Sequence, residues 1–415
     1  MMFYSKSSTG NLKKAFVLVV SIFGASLLHA IPSFSGVAAG SIGIDGKIGL
    51  SEGGSDWTLP IALFGALQAD FTDWFTMHAE IEMRANDFPL DDVFNGDNAT
   101  FKVHELSAIF SRRAVTSTHY FSIYFGTYEA LGTDTFLMRQ FGIDQISSPL
   151  AKSVTNISGV PLHSSTGGGI SYIARLDKVP VANGFYLYLN RYDGGKVALN
   201  LDYRLAVSTD IFTMDFIAGL GAPIRDKGEH DEEYVIAIKT LTLHTGINMF
   251  VGNKYTHGLL IQAGLNNLVL NGRDSLDIDE NDISFFIEPR IRAKHLGVNV
   301  AAYALNEDSV EDLLYLTDKM GAALTLFFDN IETKSFPVII GTHIIGSIAD
   351  IGLADLLNGR GFGEMKFNVF LTPYIELPFS KNSKFEAMLQ VGMLDVSRNS
   401  RALNFKVVAG YRRVF

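Results

Sequence analysis

Six residues, Asp277-Ile278-Asp279-Glu280-Asn281-Asp282, set hard oxygen donors at the close spacing that calcium accepts. The run lacks the central glycine and terminal glutamate of an EF-hand loop, so a solvated acidic surface accounts for it better. The same holds for Asp226, Glu229, Asp231, Glu232 and Glu233, and for Glu307, Asp308, Glu311 and Asp312. A second group, Glu288, Arg290, Arg292 and Lys294, places one carboxylate and three cations at every other position. A third, Arg139, Asp144 and Lys152, stands among Phe136, Leu137, Met138, Phe141, Ile143 and Ile146. Histidines 78, 104, 244 and 343 have no spacing that pairs them locally, and His163-Ser164 is too weak a pair to read as base and nucleophile. There is no His-Glu-x-x-His, no Gly-x-Ser-x-Gly and no Walker loop. These groups argue for electrostatics, and against an enzyme, a bound metal or a cofactor.

The elements that carry these charges alternate with a period of two. In 75–84, Phe75, Met77, Ala79, Ile81 and Met83 take one face, and Thr76, His78, Glu80, Glu82 and Arg84 the other. In 197–208, Val197, Leu199, Leu201, Tyr203, Leu205 and Val207 oppose Asn200, Asp202, Arg204 and Ser208. Segments 283–294 and 364–377 repeat the pattern, with Pro289 and Pro373 inside them. These runs of 10 to 14 residues exceed an ordinary strand of about 5–6 and suit a tilted strand that crosses a bilayer. Segment 101–111 slips phase between Val103 and Leu106, which predicts a bulge.

Composition agrees. The chain is 47% hydrophobic but only 19% charged, against about 25% in soluble proteins, and it has no cysteine. Past the first thirty residues no apolar run is long enough to span a membrane as a helix. Hydrophobicity spread in alternation is how a transmembrane barrel is written in sequence. The net charge of −10 disfavours nucleic acid as a partner.

At the start, Lys6, Lys13 and Lys14 precede the apolar run 15–28, and Ala30 follows. A basic start, a short apolar core and a small exit residue predict a signal peptide over 1–30. Residues 31–415 then form one domain. At the other end, 402–415 alternates and stops on Phe415, with Lys406 and Arg412 on one face and Phe405, Val407 and Tyr411 on the other.

Counting alternating segments gives about 18 strands, with 16 the next reading, the first at 36–50 and the last at 402–415. Every second connection is short, and those between are mostly long: 86–100, 129–168, 222–233, 271–281, 306–318 and 349–363. A sandwich has no reason to hold all its long loops at one end, whereas a membrane barrel does. The predicted fold is an all-β transmembrane antiparallel barrel, with short periplasmic turns, long extracellular loops and 402–415 pairing with 36–50. Charge is costly towards lipid, so Glu80, Glu82, Arg84, Arg204, Glu288, Arg290, Arg292 and Lys294 are assigned to the lumen.

The leader, the cysteine-free acidic chain, the amphipathic strands and terminal Phe415 together resemble a bacterial outer-membrane porin-type β-barrel. Such proteins commonly end in an assembly signal with glycine sixth from the end and aromatics third from last and last. This chain has Gly410 and Phe415 but Arg413 at the middle place, with Tyr411 two residues earlier. The resemblance covers the mature chain by pattern. It implies a bacterial outer-membrane location, contact with outer-membrane lipid, and recognition by barrel-assembly machinery through the strand ending at Phe415. It also implies that the third extracellular loop, 129–168 here, folds into the lumen, with 132–152 narrowing the pore and Arg139, Asp144 and Lys152 as constriction charges.

The expected function is passive diffusion of small hydrophilic solutes, since a lumen of 16–18 strands is wide enough to hold water. A surface adhesin or structural barrel, and a carrier for hydrophobic solutes, stay open as alternatives. No interface signature decides whether the chain is a homo-oligomer.

Overall fold

The computed structural model describes residues 32–49, 56–87, 99–153, 159–192, 196–227, 233–236, 241–253, 255–270, 282–306, 309–310, 313–332, 336–349, 366–393, 396–397 and 400–415. The leader, Asp277, Asp279 and Glu280, and most of the other loop acids lie outside them.

Eighteen strands close into one antiparallel barrel. They are β1 (Ser33–Gly49), β2 (Ile61–Thr72), β3 (Phe75–Ala85), β4 (Ala99–Arg113), β5 (Ser117–Leu131), β6 (His163–Leu176), β7 (Val181–Tyr192), β8 (Lys196–Ser208) and β9 (Phe212–Lys227). The second half comprises β10 (Leu241–Asn253), β11 (His257–Leu270), β12 (Ile283–Ala293), β13 (Leu296–Ala304), β14 (Met320–Glu332), β15 (Pro337–Ala349), β16 (Lys366–Ser380), β17 (Ser383–Gly392) and β18 (Ser400–Val414). Short pieces at Asp56–Thr58, Glu233–Ile236 and Val396–Ser397 prolong the ladder at the long-loop end. Each strand pairs with its chain neighbours, and β18 returns to β1 in the register Val37–Val414 to Gly49–Ala402. The ladder runs to the last residue: Gly36 N donates to Phe415 O at 2.9 Å, and Phe415 N to Gly36 O at 3.0 Å. A Cβ at Gly36 would strike the Ala66 carbonyl and the Phe415 ring, so only glycine lets the final aromatic lie there.

Antiparallel partners point the same way, so the register assigns the faces. Outward go Leu63, Ile81, Phe125, Leu187, Leu201, Val300, Ile344, Leu371 and Val407, all exposed. A water-soluble surface does not carry so continuous an apolar belt. Near the short turns, aromatic rings pair, Trp74 on Phe110 at 6.2 Å and Phe336 on Phe379 at 5.0 Å. The expected slip in β4 is a bulge at His104: Glu80 pairs with Glu105, but Ile81 with Val103. Opposite it, Gly126 adopts φ 97°, where a Cβ would collide with the His104 carbonyl.

The third long connection holds α1 (Thr135–Phe141). Asp134 enters it at φ 64° and Gly142 leaves it at φ 64°, with the Gly142 N–H on the Met138 carbonyl. Its Phe136 and Leu137 are fully buried, as are Leu150, Ala151, Val160 and Leu162 further along the connection. They join a core with Leu313, Leu314, Tyr315 and Leu316 from the connection after β13 and with inward Ile217, Phe286, Tyr303 and Ile345 of the wall.

Candidate functional site

Two inward-folded connections and the wall define the site. The third connection spans the barrel. At one end Gln262 Nε2 of β11 donates to the Gly132 carbonyl at 3.1 Å, and Asn248 Nδ2 of β10 to Asp134 Oδ1 at 2.8 Å. Asp134 Oδ2 takes the Ile146 and Ser147 N–H groups at 2.8 and 2.6 Å, which folds the segment after α1 back on itself. Ser148 Oγ donates to Glu288 Oε2 of β12 at 2.5 Å. At the far end Lys152 reaches Glu386 of β17 and lies 3.6 Å from Glu376 of β16. The connection after β13 lies beside it: Leu314 N donates to the Lys152 carbonyl at 2.7 Å, and Ser153 bridges to Leu313.

The constriction candidates occupy three different settings. Arg139, on α1, pairs with Glu129 Oε1 at 2.9 Å and Glu105 Oε1 at 3.1 Å, and its guanidinium stands 5.1 Å over the Tyr128 ring. Burial opposes its charge, yet the Glu105, Tyr128 and Glu129 oxygens outweigh this and hold it protonated well above the ordinary arginine range. Lys152 is buried between its carboxylates. Burial lowers its pKa, and Glu386 and Glu376 offset that only in part. Asp144 is exposed on the segment that follows α1.

The lumen charges also divide. On β3, Glu82 contacts both Arg84 and His104, and His78 Nε2 lies 2.8 Å from Glu80 Oε1. On β8, Arg204 is 1% exposed, donates Nε and Nη2 to Asp215 at 2.8 and 2.6 Å, and covers the Phe136 ring at 4.2 Å. On β12, Glu288 takes Arg290 Nε at 2.6 Å, and Arg292 Nη2 reaches Asp329 of β14 at 3.0 Å. Lys294 departs from the expectation. It sits in the tight turn after β12 at φ 52°, exposed at the short-turn end, because two residues must reverse the chain there.

Most inward side chains on β7–β15 are dry: Tyr186, Asp202, Asp215, Asn248, Gln262, Phe286, Glu288, Tyr303, Thr325 and His343 are all buried, while Arg290 and Arg292 towards the short turn are half-buried. On β1, β4 and at the mouth of β16 the inward residues Ser35, Asp45, Lys47, Lys102 and Lys366 are exposed, and Arg84 of β3 and Lys406 and Arg412 of β18 are half-buried. A hollow of about 410 Å³ lies here, lined by Asp45, Lys47, Asp318, Gln390, Asn404 and Lys406. The inserted connections therefore cover most of the inward face of β7–β15 and leave polar side chains uncovered on β1, β4, β16 and β18.

Sequence reasoning did not find Glu105, Glu129, Glu376 or Glu386 as partners of the loop cations. The inward parity of Glu376 was readable; the meeting of these four with Arg139 and Lys152 was not, because it depends on where the third connection crosses.

No family model and no curated protein matches the chain. Among solved structures, the chain is similar to Salmonella typhi OmpF complexed with daunomycin, at 10% identity and TM-score 0.44, with 92% of this chain and 97% of that one covered. A mutant of the Rh. blastica porin gives 11% identity and TM-score 0.43, with 92% and 100% covered. OmpT, an outer membrane protein of Vibrio cholerae, gives 9% identity and TM-score 0.37, with 93% and 100% covered. At such identities the barrel assignment rests on this chain's own ladder. Eighteen antiparallel strands closed on themselves, apolar outside, with a third long connection folded inward, make it a closed all-β antiparallel barrel.

Proposed function

We propose that the chain is a bacterial outer-membrane channel through which small hydrophilic solutes diffuse passively. The observation that carries this is the uncovered polar side of the lumen, where Asp45, Lys47, Lys102 and Lys366 are exposed and Arg84, Lys406 and Arg412 half-buried inside an apolar-coated barrel. Six of these seven groups are cations, but Glu80, Asp318, Glu376 and Glu386 stand half-buried on the same side, and the mixed signs of the whole lining favour general hydrophilic solutes over one ion sign. In this reading, segment 132–152 sets the narrowest section, Arg139 and Lys152 hold it to opposite walls, and Asp144 presents its charge to the passage. Residues 1–30 act as the export signal, the strand ending at Phe415 serves barrel assembly, and the protein performs no catalysis.

Planar-bilayer recording of the refolded protein tests the reading. Steady conductance steps are expected, with reversal potentials that show weak ion preference. Silence at all voltages by correctly folded protein rejects the channel and turns to an adhesin or structural barrel, or to a carrier of hydrophobic solutes.

A further inference from the structure

Asp202 of β8 is fully buried, and among the described residues its carboxylate meets two imidazoles and the Ser165 and Tyr188 hydroxyls but no arginine or lysine. His244 of β10 brings Nε2 to 2.6 Å from Oδ1. His163, where the third connection rejoins the wall as β6, brings Nε2 to 3.2 Å from Oδ2. The two rings stack with centroids 4.2 Å apart and planes within 12°. Two imidazoliums face to face at that distance repel, so charging both rings is a poor way to balance the buried carboxylate.

The proton on His163 can be placed. Asn266 Nδ2 donates to the Leu162 carbonyl at 2.7 Å, which orients its amide and leaves Oδ1 facing His163 Nδ1 at 3.0 Å. Nδ1 therefore carries the hydrogen, and in the neutral ring Nε2 turns its lone pair towards Asp202 and the Tyr188 hydroxyl, 3.3 Å away. An imidazole fixed by an oxygen behind it, with a bare nitrogen facing a carboxylate, is the arrangement of a metal-ligating histidine.

Space is provided from Gly219 of β9, which lies between Asp202 and His244 in the ladder. A Cβ built there would collide at once with Asp202 Oδ1 and His244 Nε2. Gly219 is not among the positive-φ glycines, so what its missing side chain supplies is room against those two donor atoms. We propose that His163, Asp202 and His244 bind one divalent transition-metal ion of the zinc class. Two imidazole nitrogens and one carboxylate suit zinc, cobalt or nickel and not the all-oxygen preference of calcium and magnesium. Donors bound at about 2.0–2.1 Å to a tetrahedral ion sit roughly 3.3 Å apart, so His163, 3.2 Å from Oδ2, stands near that spacing, and His244, 2.6 Å from Oδ1, moves back by about 0.7 Å. Tyr188 or a water completes the shell. The ion ties β6, β8 and β10 together where the third connection leaves the lumen. The other histidine–carboxylate group, His78, Glu80 and Glu105, already has a cation in Arg139, 3.1 Å from Glu105.

The test uses tag-free barrel folded in detergent and stripped with chelator, titrated with Zn²⁺ by calorimetry and with Co²⁺ by visible absorption. One saturable Zn²⁺ per chain is expected, with a tetrahedral Co²⁺ band that Zn²⁺ displaces and excess Mg²⁺ does not. His244→Gln keeps a hydrogen bond to Asp202, and Gly219→Ala removes no donor. Each is expected to weaken Zn²⁺ binding by tenfold or more, with gel mobility on heating and trypsin resistance certifying the fold. No saturable binding overturns the site and leaves Tyr188 O–H on His163 and His244 N–H on Asp202 as a plain hydrogen-bond network. Binding that both variants retain unchanged overturns it too.

Discussion

Leu314 donates its backbone N–H to the Lys152 carbonyl, so two connections separated by half the barrel's circumference are joined inside it. The two connections thus hold each other, the third by ion pairs to the wall as well and the other by hydrogen bonds from Gln390 and Lys406.

The two cations that fasten the third connection differ in what remains when they are removed. Arg139→Met leaves Glu105 and Glu129 buried without their guanidinium, a loss of about 3–5 kcal/mol by analogy with broken buried pairs. Lys152→Met costs less, because Lys384 still stands 3.0 Å from Glu376 and 3.6 Å from Glu386. Urea unfolding in detergent ranks the two variants, and the opposite order is inconsistent with this geometry.

Arg204 and Asp215 are paired through two bonds in the dry half of the lumen. Asp215→Ala strands the guanidinium beneath Phe136 and is expected to lose about 3–5 kcal/mol of folding stability. A variant as stable as the parent shows that the cation has another route to water.

Leu187, at the middle of β7, faces outward. Leu187→Arg is expected to cost about 2–4 kcal/mol when the barrel folds into lipid vesicles. Tyr186→Ala, its inward neighbour, leaves a cavity and an unpartnered Glu129 oxygen instead. Equal tolerance of arginine at 187 in vesicles and in aqueous buffer counts against the membrane placement.

Deleting Phe415 removes both hydrogen bonds to Gly36 and uncovers one end of β1. Slower assembly and an earlier heat-modifiability transition on gels are expected. Unchanged values for both show that the seam closes without it.

Much of the wall was legible in the sequence because a period of two states the strand and its face together. Residues 75–84 and 197–208 declare their lumen sides by putting Glu82 and Arg204 on the minority face. What broke the period was also informative. Phe285-Phe286-Ile287 and Ile344-Ile345 are apolar on both faces, and Phe286 and Ile345 prove to be inward residues covered by the inserted connections. Alternation alone says nothing of what covers them. The cluster of His163, Asp202 and His244 was hidden for a related reason: its members lie 39 and 42 positions apart and meet only through barrel register and the return point of one long loop.

The division of the lumen into a dry side and a wet side sorts lesions by consequence. Along β7–β15 an inward residue is part of a protein core, so damage there is read as loss of folded protein. At Asp45 and Lys47 of β1, Lys102 of β4 and Lys366 of β16 an inward side chain borders water, so a change of charge there leaves the cylinder standing. One barrel interior thus carries two separate maps of tolerance, and the boundary between them follows the edge of the paired loops.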